Sequence, residues 1–271
     1  MEKIITVRGK QIFYRELGQG PAVLLLHGFG EDGSIWKHQY ESILGFRFIV
    51  PDLPGTGLSE TVSDMSMEGL ASVMNELMDQ VLGKDEQFFL IGHSMGGYIS
   101  LAYAEKYPER LKGLGLFHSS AFADSEEKKK TRRKAIEFIE THGPGEFLKT
   151  LVPTLYGPDT KEKHPEKIEE HLASTHNFSG AALVSYYVSM IERPDRTGIL
   201  KNTDLPVLLV LGRHDQAVPV NDGLKLSYMA DLTYIHLLEN SGHMGMVEEM
   251  KESNELLTNY LTGNEKTAQP E

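Results

Sequence analysis

The chain of 271 residues is predicted to fold as an α/β protein: a mainly parallel, eight-stranded sheet with helices on both faces and an all-helical segment inserted late. Three observations carry that expectation. Short, almost wholly apolar runs recur along the chain, as strands covered on both faces require. Segments of helical periodicity fall between many of them, the alternation that builds parallel sheets through right-handed crossovers. The alternation then stops between about residues 119 and 200, where no buried-type strand is visible.

In chain order, residues 4–8 and 11–17 read as two strands hinged at the Gly9-Lys10 turn, an antiparallel addition at the sheet's edge. Buried-type strands follow at about 22–26, 47–50, 88–92, 113–117, 207–211 and 234–238, with helical patterns at 35–44, 66–82, 95–106, 221–230 and 246–261. Within 119–200, helices are predicted at 124–141, 144–151, 161–175 and 180–191, punctuated by Gly143-Pro144, Gly157-Pro158 and His164-Pro165. The core is therefore 1–118 with 201–262, the helical insertion 119–200 is read as a lid above the carboxyl edge of the sheet, and 263–271 as a disordered tail. The basic run 128–133 is read as the solvated face of a helix opened by Asp124, Glu126 and Glu127.

Composition narrows the function classes. A formal charge of -12 repels phosphate backbones and anionic lipid, so neither nucleic acid nor a membrane is expected as a partner. With no cysteine there are no disulfides, thiolate metal sites or cysteine nucleophiles. No secretory pattern precedes the first strand and no apolar run approaches spanning length, so a cytoplasmic location is expected. His164, His171 and His176 are scattered and form no ligand pattern, so no metal or cofactor is implied.

The strongest chemical signal follows the strand at 88–92. Gly92-His93-Ser94-Met95-Gly96 is a G-x-S-x-G sequence in a strand–turn–helix setting, with glycines where strand and helix must approach closely. Ser94 is the candidate nucleophile, at a helix N-terminus that favours developing negative charge. A serine hydroxyl needs an adjacent base. His243, in the loop Glu239-Asn240-Ser241-Gly242-His243 after the last strand, is the candidate, and that loop is read as flexible. Asp215, after the strand 207–211, is the acid that would hold the imidazole tautomer; Asp124 is the fallback acid, and His214 is assigned no chemistry. The oxyanion donors are predicted to be the amides of Met95 and of Phe29, the latter in the loop His27-Gly28-Phe29-Gly30. His27 is read as stiffening that loop.

Together with Asp52-Leu53-Pro54-Gly55-Thr56-Gly57-Leu58-Ser59, read as structural, these motifs in this order resemble the α/β-hydrolase superfamily from about Ile4 to Leu261. The likeness is to its lidded single-chain branch of esterases, carbon–carbon bond hydrolases and haloperoxidase-like enzymes. Haloalkane dehalogenases and epoxide hydrolases of that superfamily carry aspartate where this chain has Ser94, so alkyl-enzyme chemistry is not expected. The resemblance implies an acyl-enzyme on Ser94 and hydrolysis of a small carboxylic ester. Three alternatives stay open: a carbon–carbon hydrolase or lyase acting on a keto acid, with Arg193 and Arg196 as carboxylate-binding candidates; a catalytically silent ligand receptor; and perhydrolysis as a side activity. Phe122, Phe138, Tyr156, Phe178, Tyr186 and Met190 are candidate pocket residues of the insertion.

Overall fold

A computed structural model describes residues 1–175 and 178–265. The strands are β1 (Glu2–Val7), β2 (Lys10–Gly18), β3 (Ala22–Leu26), β4 (Arg47–Pro51), β5 (Phe88–His93), β6 (Leu111–Phe117), β7 (Val207–Gly212) and β8 (Thr233–Leu238). They form one eight-stranded sheet in the order β1-β2-β4-β3-β5-β6-β7-β8. Only β2 runs against its neighbours; the pairings from β4 to β8 are parallel. The fold is the one the sequence predicts, with each of its eight strands in place.

Period-two alternation explains why the inner strands are apolar throughout. In β3, Val23 and Leu25 enter one core while Leu24 and Leu26 enter the other. Phe89 and Ile91 of β5, and Leu208 and Val210 of β7, join the Val23 side; Leu90 and Leu209 join the opposite side. The helices Met67–Val81 and Met95–Lys106 cover one face. The helix Met250–Glu265 covers the other, on which Trp36 is fully buried. That final helix runs through Gly263–Glu265, which the sequence reading assigned to a tail; the remaining tail residues, 266–271, lie outside the described ones.

The chain order of the strands reverses between β3 and β5, where Leu26 pairs with Gly92. The loop carrying Phe29 and the turn carrying Ser94 leave these paired strands at their carboxyl ends, at the crevice where open α/β sheets bind ligands. Between β6 and β7 the chain forms the helices Glu126–His142, Pro144–Leu151, Pro158–Lys163, Pro165–Ser174, Gly180–Glu192 and Thr197–Lys201. The helix expected at 161–175 is broken at His164-Pro165, since a proline removes the N–H that would continue the first helix.

Candidate functional site

Ser94 sits between β5 and the helix Met95–Lys106 with φ 50° and ψ −116°, a left-handed conformation that costs a non-glycine residue roughly 1–3 kcal/mol. Backbone contacts hold it there. Its amide donates to Phe117 O at 2.9 Å, and its carbonyl accepts from Gly97 N at 2.9 Å and from Ser119 Oγ at 2.7 Å. A Cβ on Gly92 would strike the Gly96 carbonyl, and one on Gly96 would lie 2.6 Å from Leu26 O, so neither position admits a side chain without displacing backbone.

Asp215 is buried, and its carboxylate accepts four hydrogen bonds. Oδ1 takes the amides of Ala217 and Val218, both at 2.8 Å, which fix the loop that follows. Oδ2 takes His243 Nδ1 at 2.7 Å and, from the other side, His118 Nδ1 at 3.2 Å. Burial opposes ionisation of Asp215, but the charge of His243 and the bonds from both imidazoles outweigh it and hold the carboxyl well below its usual range. Burial pulls His243 down, yet Asp215 more than compensates, so its pKa lies above the ordinary 6.5. His118 goes the other way: burial brings it down to about 4.

His118 was not found by sequence reasoning. It follows β6 with φ 48°, and a Cβ on Gly245 would run into its Nε2. The one sequence signal was its place at the carboxyl end of a buried strand. His118, Asp215 and His243 are the set of metal-ligand residue types that lie within 4.8 Å of one another among the described residues. Both rings approach a single carboxylate oxygen through Nδ1, which is the arrangement of two N–H donors on one acceptor.

Ser94, His243 and Phe29 line one small cavity of about 80 Å³ with Glu31, Tyr98, Arg132, Leu151, Leu155, Tyr187, Met190, Ala217 and Val218. The Ser94 hydroxyl has no hydrogen-bond partner among the described residues, and neither do the amides of Phe29 and Met95. Arg132, Tyr187 and Ala217 also border a larger cleft of about 660 Å³, walled by Phe122, Lys128, Arg193, Gln216 and Lys225 among others. The run 128–133 is therefore not a uniformly solvated face. Arg132 turns inward to Asp124 (Nε–Oδ2 2.5 Å), and Lys128 Nζ donates to Ala217 O at 3.0 Å, because this helix lies across the sheet's carboxyl edge rather than beside it.

Asp124, the fallback acid, is committed to Arg132 and, at 2.9 Å, to Arg193. Arg196 is buried elsewhere, bonded to Glu68 and Glu105, and does not face the cavity. Of the apolar candidates, Met190 lines the cavity and Phe122 the larger cleft. Tyr186 instead donates to Pro54 O, Tyr156 packs within the insertion against His171, and Phe138 stacks on His142 at the surface. Phe178 borders a separate cleft with Arg15 and Asp52. His164 pairs with Glu166 at the surface, and His176 lies outside the described residues.

Two buried acids hold the loops around this cavity. Glu31 Oε2 accepts Gly28 N at 2.7 Å and lies 3.0 Å from His93 Nδ1; His93 Nε2 lies 2.8 Å from the His243 carbonyl. Burial resists charge on Glu31, but His93 pushes its pKa down to about 2. His27, also fully buried, accepts Leu53 N at Nε2 (2.9 Å) and donates from Nδ1 to Gly28 O (2.8 Å), joining the Phe29 loop to the Asp52–Ser59 turn. Asp52 in turn accepts from Arg15, Gly33 N and Leu58 N.

Glu248 anchors the His243 loop. Its Oε1 accepts Gly242 N and Met244 N; its Oε2 accepts Gly157 N and Thr160 Oγ1, both from the insertion. His243 N also donates to Leu155 O at 2.6 Å. The loop expected to be flexible is thus clamped, with Gly242 packed backbone to backbone on residues 155–157.

Comparison with known proteins agrees with this architecture. The sequence profile described as alpha/beta hydrolase fold matches residues 21–136. The chain is 31% identical over 278 residues to a 2-hydroxy-6-oxo-6-phenylhexa-2,4-dienoate hydrolase of Comamonas testosteroni, covering 92% of this chain and 91% of that one. An esterase of Thermogutta terrifontis, solved with malate bound, superposes with a TM-score of 0.91 at 30% identity, covering 97% of this chain and 99% of that one. The enol-lactonase of Burkholderia xenovorans, at 22% identity and a TM-score of 0.87 over 96% and 100% of the two chains, shares the fold. The chain belongs to the α/β-hydrolase superfamily. It is a hydrolase, and none of its described helices is long and apolar enough to cross a membrane.

Replacing Glu248 by Gln leaves one acceptor oxygen where two served four donors. The stranded donors should cost about 2 kcal/mol of stability, read from the midpoint of urea unfolding at constant slope. An unchanged midpoint would remove Glu248 as the anchor.

Proposed function

We propose that the protein is a serine hydrolase that cleaves a small carboxylic ester through an acyl-enzyme on Ser94. The observation that carries this reading is the Asp215–His243 bond of 2.7 Å, with His243 and Ser94 on one cavity. Asp215 holds the proton on His243 Nδ1, which leaves Nε2 as the basic nitrogen. His243 takes the Ser94 proton as the oxygen attacks the acyl carbon. Negative charge collects on the former carbonyl oxygen, where the amides of Phe29 and Met95 are the proposed donors. His243 then gives its proton to the leaving alkoxide as the first adduct collapses to the acyl-enzyme; it next takes a proton from water as that oxygen attacks the acyl carbon, and returns it to the Ser94 oxygen as the second adduct collapses to acid and free serine.

The insertion acts here as a lid: Arg132, Leu151, Leu155, Tyr187 and Met190 close the cavity over Ser94. A volume of about 80 Å³ suits a short acyl chain. The preset strain at Ser94 supports the same reading, since strained backbone concentrates where a reacting group must be presented. His118 is proposed as a positioning residue that holds Asp215 from the side opposite His243.

Carbon–carbon bond hydrolysis is the second reading. It is favoured by the 31% identity to the dienoate hydrolase, whose name describes cleavage of a keto acid. Parallel assays of 2-hydroxy-6-oxo-6-phenylhexa-2,4-dienoate and 4-nitrophenyl butyrate separate the two, and a dominant rate on the dienoate would displace ester cleavage as the principal activity.

Ser94→Ala should abolish release of 4-nitrophenol from 4-nitrophenyl butyrate while leaving the unfolding midpoint within about 1 kcal/mol of the wild type. Wild-type turnover by that variant would sink the assignment. Because the active base is neutral His243 and its pKa is raised, kcat/KM should fall as pH drops, with the midpoint of the limb above 6.5. A profile flat from pH 5 to 8 would exclude His243 as base. His118→Leu removes one donor from Asp215 Oδ2 and leaves more negative charge facing His243. The acid limb should then move to higher pH with kcat reduced and KM little changed, whereas a purely structural role would leave the limb in place.

A further inference from the structure

The guanidinium of Arg132 is held rather than loose. Nε and Nη2 both face the buried carboxylate of Asp124, at 2.5 and 3.4 Å. Asp124 is itself held by Nη1 of Arg193, whose side chain is 4% exposed and whose Nη1 and Nη2 also donate to the carbonyls of Met190 and Phe122. Two guanidinium groups thus share one carboxylate, and the cluster carries a net positive charge. Arg132 Cζ lies 5.5 Å from the centre of the Tyr187 ring, which stacks on Phe29.

Nη1 of Arg132 has no partner among the described residues, and Arg132 borders both the Ser94 cavity and the larger cleft. Lys128 also lines the cleft, where Lys225 is paired with Asp222 at 2.8 Å. Glu31, the acid in the small cavity, is engaged by His93. In a chain of net charge -12, this two-arginine cluster is a local reversal of sign on the cavity that holds Ser94.

We infer that Arg132 is the anion-binding element of a carboxylate subsite at the junction of the two cavities, and that preferred substrates are esters carrying a carboxylate. Asp124 and Arg193 orient the guanidinium so that its free edge meets the ligand at no further conformational cost. The inference rests on Ser94-dependent ester hydrolysis and refines its substrate class. Arg132 shares with Ser94 a cavity of only about 80 Å³, which suits a short dicarboxylic half-ester or a small carboxylated leaving group.

Two pairs of near-isosteric esters test it by pH-stat: monomethyl against dimethyl succinate, with the charge on the acyl side, and 4-acetoxybenzoate against its methyl ester, with the charge on the leaving group. The wild type should prefer the anionic member of one pair, and which pair it is identifies the side of the ester that Arg132 reads. Arg132→Gln should lower kcat/KM for that member by about thirtyfold, mainly through KM, and change its neutral partner less than threefold. Equal losses on both members, or no anionic preference in either pair, would overturn the subsite.

If Arg132→Gln does not fold, competitive inhibition of the wild type by glutarate, with glutaramide as the neutral control, decides the matter: glutarate alone should inhibit. Equal inhibition by both, or by neither, overturns the proposal. Neutral-ester turnover that disappears in Ser94→Ala tests the underlying reading separately, so a failed subsite does not count against the nucleophile.

Discussion

The site depends on how closely backbone approaches backbone around Ser94. A serine with φ 50° is unstable on local grounds, and the turn exists because β5, the helix after it and the end of β3 are packed with no side chain between them. Gly92 and Gly96 supply that absence. Once they do, the amide of Ser94 is bound to Phe117 O, its carbonyl to Gly97 and Ser119, and the hydroxyl is left without a partner among the described residues. The parallel register of β3 and β5 then brings the Phe29 loop alongside, so Ser94 and the neighbouring amide are positioned by the same strand pairing.

Around that turn, the protein buries charge only in sets. Glu31 has His93, Asp124 has two arginines, and Asp215 has two imidazoles and two amides. An isolated ionised group at such depth would lose several kcal/mol of solvation and neutralise instead. Each set also fastens a different segment to the sheet: the Phe29 loop, the first helix of the insertion, and the loop after β7. The electrostatics and the mechanics of the cavity are therefore one arrangement.

The fold was legible because its signals are local. Apolar runs such as 22–26 and 207–211 mark strands by composition, and the serine turn by its glycines. Ser94, Asp215, His243 and Phe29 were readable as candidates for a related reason: each stands just beyond a buried strand, so chain position implies spatial position. His118 stood in an equivalent place and was missed, since a histidine after a strand has no signature separating it from a solvent-facing one. Arg132 was misread for a deeper reason. On a helix whose neighbours are Lys129, Lys130 and Arg133, the inward residue is set by how the insertion docks, which is a tertiary fact with no periodic trace in a run of like charges. Glu248 was invisible in the same way, its four donors coming from residues 157, 160, 242 and 244.

Because Glu248 takes donors from both the His243 loop and the insertion, the two are not separable modules. A foreign helical segment grafted between β6 and β7 would bring different backbone to positions 157 and 160, leaving Oε2 buried without its donors and the neighbouring loop without its brace. Exchange of insertions between relatives, as a route to new substrate preference, would have to carry this carboxylate's contacts along. The same coupling makes the two ends of the insertion unequal: the stretch near residues 155–160 is tethered to the His243 loop, so any swing that admits a bulkier ligand must be taken up at the far side, by the helices 126–142 and 180–192.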